Sequence, residues 1–387
     1  MRDHWNNCVT HFDQAVDEFV GQHFADTDTR CLLIAGAGFD PRARRIAEKL
    51  AAVMGERLRA FFIREERGDP SADLKSKADE NEAALRALVV NSSVNTIRIF
   101  AEDGAPVAGQ RLIEALREFV WPDDTTDIVL DLSALSLGIA FPAAKFVLDN
   151  FESSARLNFH LMVSSNPELD AKILGEPSPQ AISVRGFPDP TAEFAERPVA
   201  RIWLPHLAHG SASKLQKIRA LYPEVYKVCP LVPFPARNPR RADELLTEYL
   251  PQLVDEWDVD PRDLIYVSER NPLDSYRTIT TLKERYDRSV KGIYQPQLIL
   301  SPLGSKVMAA GAMMAAIQHE LPVQYVETLR YDYDPGSHEP TSEYLEMTVH
   351  VWLHGPIYAG FRSGAPSGEI VKGDLPAPAI SEKEQAT

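Results

Sequence analysis

The chain has 387 residues, enough for two to three domains, and its 44% hydrophobic and 25% charged residues are those of a folded globular protein, which excludes disorder for most of its length. Its 41 Lys and Arg against 56 Asp and Glu leave a net charge of −15 at pH 7, a field that repels polyanions and excludes general coating of DNA or RNA. The longest apolar runs fall short of the roughly 18 residues a membrane span requires, and Met1-Arg2-Asp3-His4-Trp5 lacks the basic start and apolar stretch of a signal peptide, so the expectation is a cytoplasmic protein with no membrane partner.

Val9, Phe12, Val16, Phe19 and Val20 recur at helical spacing and predict a lead-in helix over 8–24. The apolar run 31–35 then reads as a buried strand, ended by Gly36-Ala37-Gly38-Phe39-Asp40-Pro41 and followed by a helix over 42–54. Strands at 59–63, 96–100, 127–132 and 158–163 alternate with helices at 73–90, 108–120 and 139–150. Such alternation builds a doubly wound parallel sheet, because each crossover helix covers one face of it. Pro167, Pro177, Pro179, Pro188, Pro190 and Pro198 punctuate a stretch of weak periodicity, so 166–200 reads as a connection.

The pattern restarts beyond it, with helices at 211–221, 242–255, 273–288 and 306–318 and strands at 226–232, 264–268, 297–300 and 323–326. Residues 348–352 read as an edge strand, and those from 364 as a polar tail. The fold class is therefore α/β: two Rossmann-like lobes with mainly parallel sheets, over 1–165 and 201–363. Cys8, Cys31 and Cys229 are far apart, form no CxxC pair, and read as small buried hydrophobes.

Candidate sites fall at the ends of predicted strands, where open α/β sheets bind ligands. Gly36 and Gly38 would let backbone approach a ligand, with Asp40 alternatively capping the helix ahead of Pro41. The run GAGFDPRA is similar to the GAG-D-RA turn of some S-adenosylmethionine-dependent methyltransferases, which implies an enzyme as the alternative reading. Ser133, after the strand at 127–132, offers a hydroxyl to a ligand or to a helix cap. In the second half, Arg237 and Arg240 supply a basic loop, and Glu269 and Asn271 a polar turn before the next helix.

The sharpest signal is Ser301-Pro302-Leu303-Gly304-Ser305-Lys306-Val307-Met308, a strand end and glycine turn with a lysine opening a small-residue helix. The Gly304 amide, Ser305 hydroxyl and Lys306 ammonium together would make a phosphate site, the alternative being a lysine-capped packing turn. Residues 297–327 resemble the CRISPR-associated Rossmann-fold (CARF) sensor family: Gly304, Ser305, Lys306 and Met308 follow its G-T-K-x-M turn, Ser301 stands near its leading Thr, and Pro302 and Leu303 depart from the pattern. The resemblance implies binding of a nucleotide-like small molecule across a homodimer, in antiviral defence, with a partner effector acting in trans. His206 and His209 have metal-ligand spacing but no obvious third ligand, so no metal is expected, and no cofactor is assigned.

Overall fold

The computed structural model describes residues 2–68, 70–154, 156–191, 198–290, 292–333 and 346–359; the tail expected from residue 364 lies outside them. The chain opens with a 3-10 turn, Asp3–Asn7, strand β1 (Thr10–Phe12) and helix α1 (Gln14–His23). The expected single helix over 8–24 is thus divided, because Asp13 takes φ 50° and turns the chain out of a short strand. There follow β2 (Cys31–Gly36), α2 (Arg45–Met54), β3 (Leu58–Glu66), α3 (Ala72–Leu88), β4 (Asn91–Arg98), α4 (Ala108–Glu118), β5 (Asp127–Asp131), α5 (Leu137–Phe151) and β6 (Asn158–Ser165).

The stretch expected as a connection holds α6 (Pro167–Lys172), β7 (Ile173–Ser183) and the start of β8 (Val199–Pro205). Then come α7 (Ala212–Arg219), β9 (Lys227–Val228), β10 (Leu231–Pro233), α8 (Arg241–Glu248), β11 (Ile265–Val267), α9 (Pro272–Val290), β12 (Gln295–Ser301), α10 (Lys306–His319), β13 (Gln324–Tyr333) and β14 (Met347–His354).

The first sheet has seven strands in the order β1-β14-β6-β5-β2-β3-β4. From β6 to β4 all are parallel, and their spatial order reverses between β2 and β5. Taken in chain order, these five strands lie 3-2-1-4-5, the doubly wound arrangement whose reversal opens a ligand crevice. β14, expected as an edge strand of the second lobe, instead enters the first sheet between β1 and β6, antiparallel to both. Met347, Val349 and Val351 are buried on one of its faces and His350 on the other, as suits an interior strand, but sequence cannot say which sheet receives it.

The second sheet repeats the winding. β12 and β9 flank β8 in parallel, a His206–Leu231 bridge continues the sheet to β10 and β11, and a Leu300–Val323 bridge adds the lead into β13 beyond β12. Its reversal lies between β8 and β12. β7 carries the chain out of the first lobe and β13 carries it back, and the two pair antiparallel as a ribbon between the lobes.

A common core joins the halves: Ile128, Leu161 and Val349 of the first sheet, Leu148 of α5, Met313 of α10 and Leu298 of the second sheet belong to one buried cluster. Helix α10 is enclosed nearly all round, which explains its Ala- and Met-rich composition. At Gly311 an added Cβ would lie 2.0 Å from the Pro272 carbonyl oxygen, so glycine is what lets α9 and α10 pack this closely.

Candidate functional site

Each doubly wound sheet has its reversal flanked by two loops. In the first lobe these are the β2–α2 turn at Gly38–Asp40 and the β5–α5 turn at Ala134–Ser136; in the second, Leu207–Ser211 after β8 and Gly304–Lys306 after β12. All four face each other and line one cavity of about 380 Å³, with the β7–β13 ribbon forming a further wall at Ile173, Gly175 and Tyr331. The two glycine turns that the sequence presents as separate candidates therefore belong to one site.

On the first-lobe side, Asp40 accepts from the Arg42 backbone N–H at 2.9 Å and from Arg42 Nε and Nη2 at 2.9 and 2.7 Å. Burial alone would raise this carboxyl, but the Arg42 guanidinium outweighs it and holds Asp40 below its ordinary pKa. Arg42 also meets Asp170 at 2.8 Å. Asn81 of α3 donates to the Gly38 and Asp40 carbonyls at 2.8 and 3.1 Å and so fixes the turn. A Cβ on Gly38 would meet nothing within 4 Å. Gly36 is outside the cavity: it is the last residue of β2, and a Cβ there would press on the Ala134 carbonyl at 3.1 Å.

Ser133 is not a ligand-facing hydroxyl. It is fully buried, donates to Asp131 and accepts from the Ser164 N–H, which ties β5 to β6. The hydroxyl that does face the cavity is that of Ser136, buried and without a partner among the described residues. Ser136 sits at the N-cap of α5 with no side-chain cap hydrogen bond, while its N–H donates to Glu65 at 2.7 Å.

On the second-lobe side, Gly304 takes φ 93° and a Cβ there would lie 2.5 Å from that of Ala208, so the turn demands glycine twice over. Ser305 caps α10, accepting from the Met308 N–H at 3.5 Å. The Lys306 ammonium crosses between the lobes to donate to the Leu135 carbonyl. Burial and the neighbouring Arg42 lower its pKa, against the pull of Asp170, Asp40 and Glu65. Ser301, contrary to the sequence expectation, does not face a ligand: it is wholly buried, and its Oγ accepts from Trp203 Nε1 at 2.9 Å.

Of the remaining sequence candidates only Glu269 reaches the cavity, its carboxyl raised by burial. Arg237 and Arg240 lie on the exposed loop before α8, and it is the adjacent Arg241 that lines the site, with its Nε buried and without a hydrogen-bond partner among the described residues. Asn271 accepts from the Leu273 N–H at 3.0 Å and serves the start of α9. His206 is buried with neither ring nitrogen bonded, and burial lowers its pKa to about 3. His209 instead lines the cavity and meets Glu248 at 2.5 Å, so the two histidines do not converge.

Several functional groups carried no sequence signal. Lys214, in the first turn of α7, lines the cavity with its ammonium in no hydrogen bond or ion pair among the described residues, and burial lowers its pKa. Arg67 lies over the Tyr331 ring at 4.8 Å and pairs with Glu65 and Glu327 at 3.0 and 3.1 Å. Phe39 and Tyr331 pack with ring centroids 5.3 Å apart. Together with Arg67 they border a second cavity of about 270 Å³ on the α3 side.

The walls of the main cavity carry five cations, Arg42, Arg67, Lys214, Arg241 and Lys306, against four carboxylates, Asp40, Glu65, Asp170 and Glu269. In a chain of net charge −15 this is a local reversal of sign. The N-termini of α5 and α10 open onto the same space, and their amide dipoles add to it. Chemically, the site suits an anion with further polar groups and a flat ring.

Both lobes are Rossmann-like. The chain matches no family model and no curated protein. Solved structures similar in part include a protein assigned as an rRNA methylase from Clostridium thermocellum, at 13% identity and a TM-score of 0.21 over 41% of this chain and 87% of that one. A human methyltransferase 10 domain containing protein is similar at 12% identity and a TM-score of 0.21, over 42% and 72%. A protein assigned as a universal stress protein from Pseudomonas aeruginosa UCBPP-PA14 is similar over 80% of this chain and 96% of its own, at 11% identity and a TM-score of 0.23. No helix among the described residues is long and apolar enough to cross a membrane.

Proposed function

We propose that the protein binds a phosphorylated, nucleotide-like ligand between its two lobes and acts as a sensor of it, passing the bound state to a partner. The observation that carries this reading is the convergence of both reversal points on a cavity lined by Lys214, where the buried Ser136 hydroxyl and Arg241 Nε have no hydrogen-bond partner among the described residues. Unpartnered buried polar groups are costly, and an anionic ligand with phosphate oxygens would supply partners for such groups and a counter-charge for Lys214. The volume is that of a site for one small ligand. Phe39, Tyr331 and Arg67 offer faces for a base to stack on. A ligand held by both lobes would change how they meet, which is the kind of change a partner can read.

A second reading is S-adenosylmethionine-dependent methyl transfer. It is favoured by Gly38 and Glu65, which bring the glycine turn and a strand-end carboxylate to the same cavity. Against it, Glu65 is already engaged by Ser136 and Arg67, and the surrounding cations oppose a sulfonium. Calorimetry of the full chain with ATP, a cyclic oligoadenylate and S-adenosylmethionine separates the two. Binding of a phosphorylated probe that is lost in Gly38→Val supports the sensor reading; binding of S-adenosylmethionine alone supports the enzyme.

A further inference from the structure

Opposite the ligand cavity, at the amino-terminal edge of the first sheet, three side chains from distant parts of the chain meet. His23 ends α1, Asp127 opens β5, and His160 lies near the start of β6. His23 Nε2 and His160 Nε2 stand 2.7 and 3.0 Å from the same atom, Asp127 Oδ1, and the three ligand atoms all lie within 4.8 Å of one another. We propose that His23, Asp127 and His160 form a binding site for one divalent metal ion of the zinc type.

The donor set is two imidazoles and a carboxylate, which suits zinc and leaves a position for water or a fourth ligand. Tetrahedral bonds of about 2.0–2.2 Å place ligand atoms about 3.3 Å apart, so the imidazole–carboxylate spacings of 2.7 and 3.0 Å would open and the two imidazole nitrogens, within 4.8 Å of each other, would settle toward that same separation. Entry is available because His23 keeps 22% of its side chain exposed, while Asp127 and His160 are buried at 2% and 0%.

The groups behind the ligands fit as well. Thr126 Oγ1 donates to Asp127 Oδ2 at 2.6 Å, fixing the carboxylate. His160 Nδ1 faces His350 Nε2 at 2.9 Å, and His350 Nδ1 faces His11 Nδ1 at 2.9 Å. Without metal, the Asp127 carboxylate calls for N–H at His160 Nε2, which sets His350 to donate to His160 and His11 to donate to His350. With metal on His160 Nε2 each of these donors reverses, and the protons shift one ring along. His160 Nε2 and His23 Nε2 each give up one proton to solvent, and the outward nitrogen of His11 and Nδ1 of His23 each take one, so the rings stay neutral throughout. Such outer-shell partners orient and strengthen metal-bound histidines. Phe24 and Trp352 pack on His160 at centroid distances of 5.6 and 4.8 Å and wall the site on its inner side.

The test uses the full chain, stripped with EDTA and titrated with ZnCl₂ by calorimetry and with CoCl₂ by visible absorption. One Zn²⁺ per chain is expected, with a melting temperature that rises with Zn²⁺ and cobalt bands of nitrogen and oxygen ligation. His23→Gln keeps an N–H for Asp127 but loses the imidazole, and Asp127→Asn removes the charge. Each should weaken zinc binding at least about ten-fold, while His319→Gln, remote from the site, should leave it unchanged. Absence of stoichiometric binding in the folded wild type, unchanged affinity in folded His23→Gln, or thiolate charge-transfer bands would each overturn the proposal.

Discussion

Lys214→Ala separates a ligand-binding role from a structural one. In the ligand-free protein the ammonium has no partner among the described residues, and burial pushes its pKa down, so the folded state holds this charge at a penalty. The sign follows from linkage: a lysine whose folded pKa lies below its unfolded value opposes folding below the folded pKa, and the penalty disappears as pH rises past the unfolded value near 10.4. At pH 7 the substitution removes that penalty together with some aliphatic packing, so the melting temperature should stay within about 3 °C of wild type. Binding should respond differently. A charge-assisted hydrogen bond to phosphate contributes about 1.5–3 kcal/mol, which corresponds to a loss of roughly 12- to 160-fold in affinity for a phosphorylated probe. Calorimetry and thermal melting on the same preparations supply both readings. A large fall in melting temperature with unaltered affinity would refute the assignment.

Gly38→Val, placed where a Cβ meets nothing within 4 Å, should fold normally and abolish binding; circular dichroism and calorimetry check the two halves of that statement. Lys306→Ala should reduce both stability and affinity, because the Leu135 carbonyl between the lobes loses its donor; a cost of about 1–3 kcal/mol in urea unfolding is expected. Gly311→Val forces α9 and α10 apart and should lower the melting temperature by more than any cavity substitution. Burial raises the Asp131 carboxyl to about 7, against the hydrogen bonds from Ser133, so the folded state favours its neutral form. Stability from this group is full below its unfolded pKa near 3.9 and is lost as pH rises through about 7. Asp131→Asn should flatten the decline in melting temperature between about pH 4 and 7, and an unchanged slope would contradict that assignment.

Strand and helix alternation is legible wherever burial is continuous, as in Cys31–Gly36, whose six residues are all buried. The glycine turns at Gly38 and Gly304 are legible too, the first from its place between a strand and a helix, the second also because a positive φ and close approach demand glycine there. Their meeting is not: residues 38 and 304 are brought together by the packing of two sheets, which no local pattern encodes. β8 was hidden by Pro198 and Pro205 and by its position at the end of a proline-rich stretch, and with it the Leu207–Ser211 loop and Lys214. Ser133 and Ser301 have the right chemistry at strand ends, yet their hydroxyls are used inside the sheets by Ser164 and Trp203. β14 and the β7–β13 ribbon show a further limit, since a strand's own residues identify its faces but not its partners. The five cations that line the cavity, Arg42, Arg67, Lys214, Arg241 and Lys306, come from five separate segments.

Native mass spectrometry of the purified full chain, with identification of any released small molecule, tests the inter-lobe site most directly. The account predicts a phosphorylated, nucleotide-like species bound one per chain and absent from Gly38→Val. Retention of that ligand by folded Gly38→Val, or a co-purifying S-adenosylmethionine in its place, would contradict it.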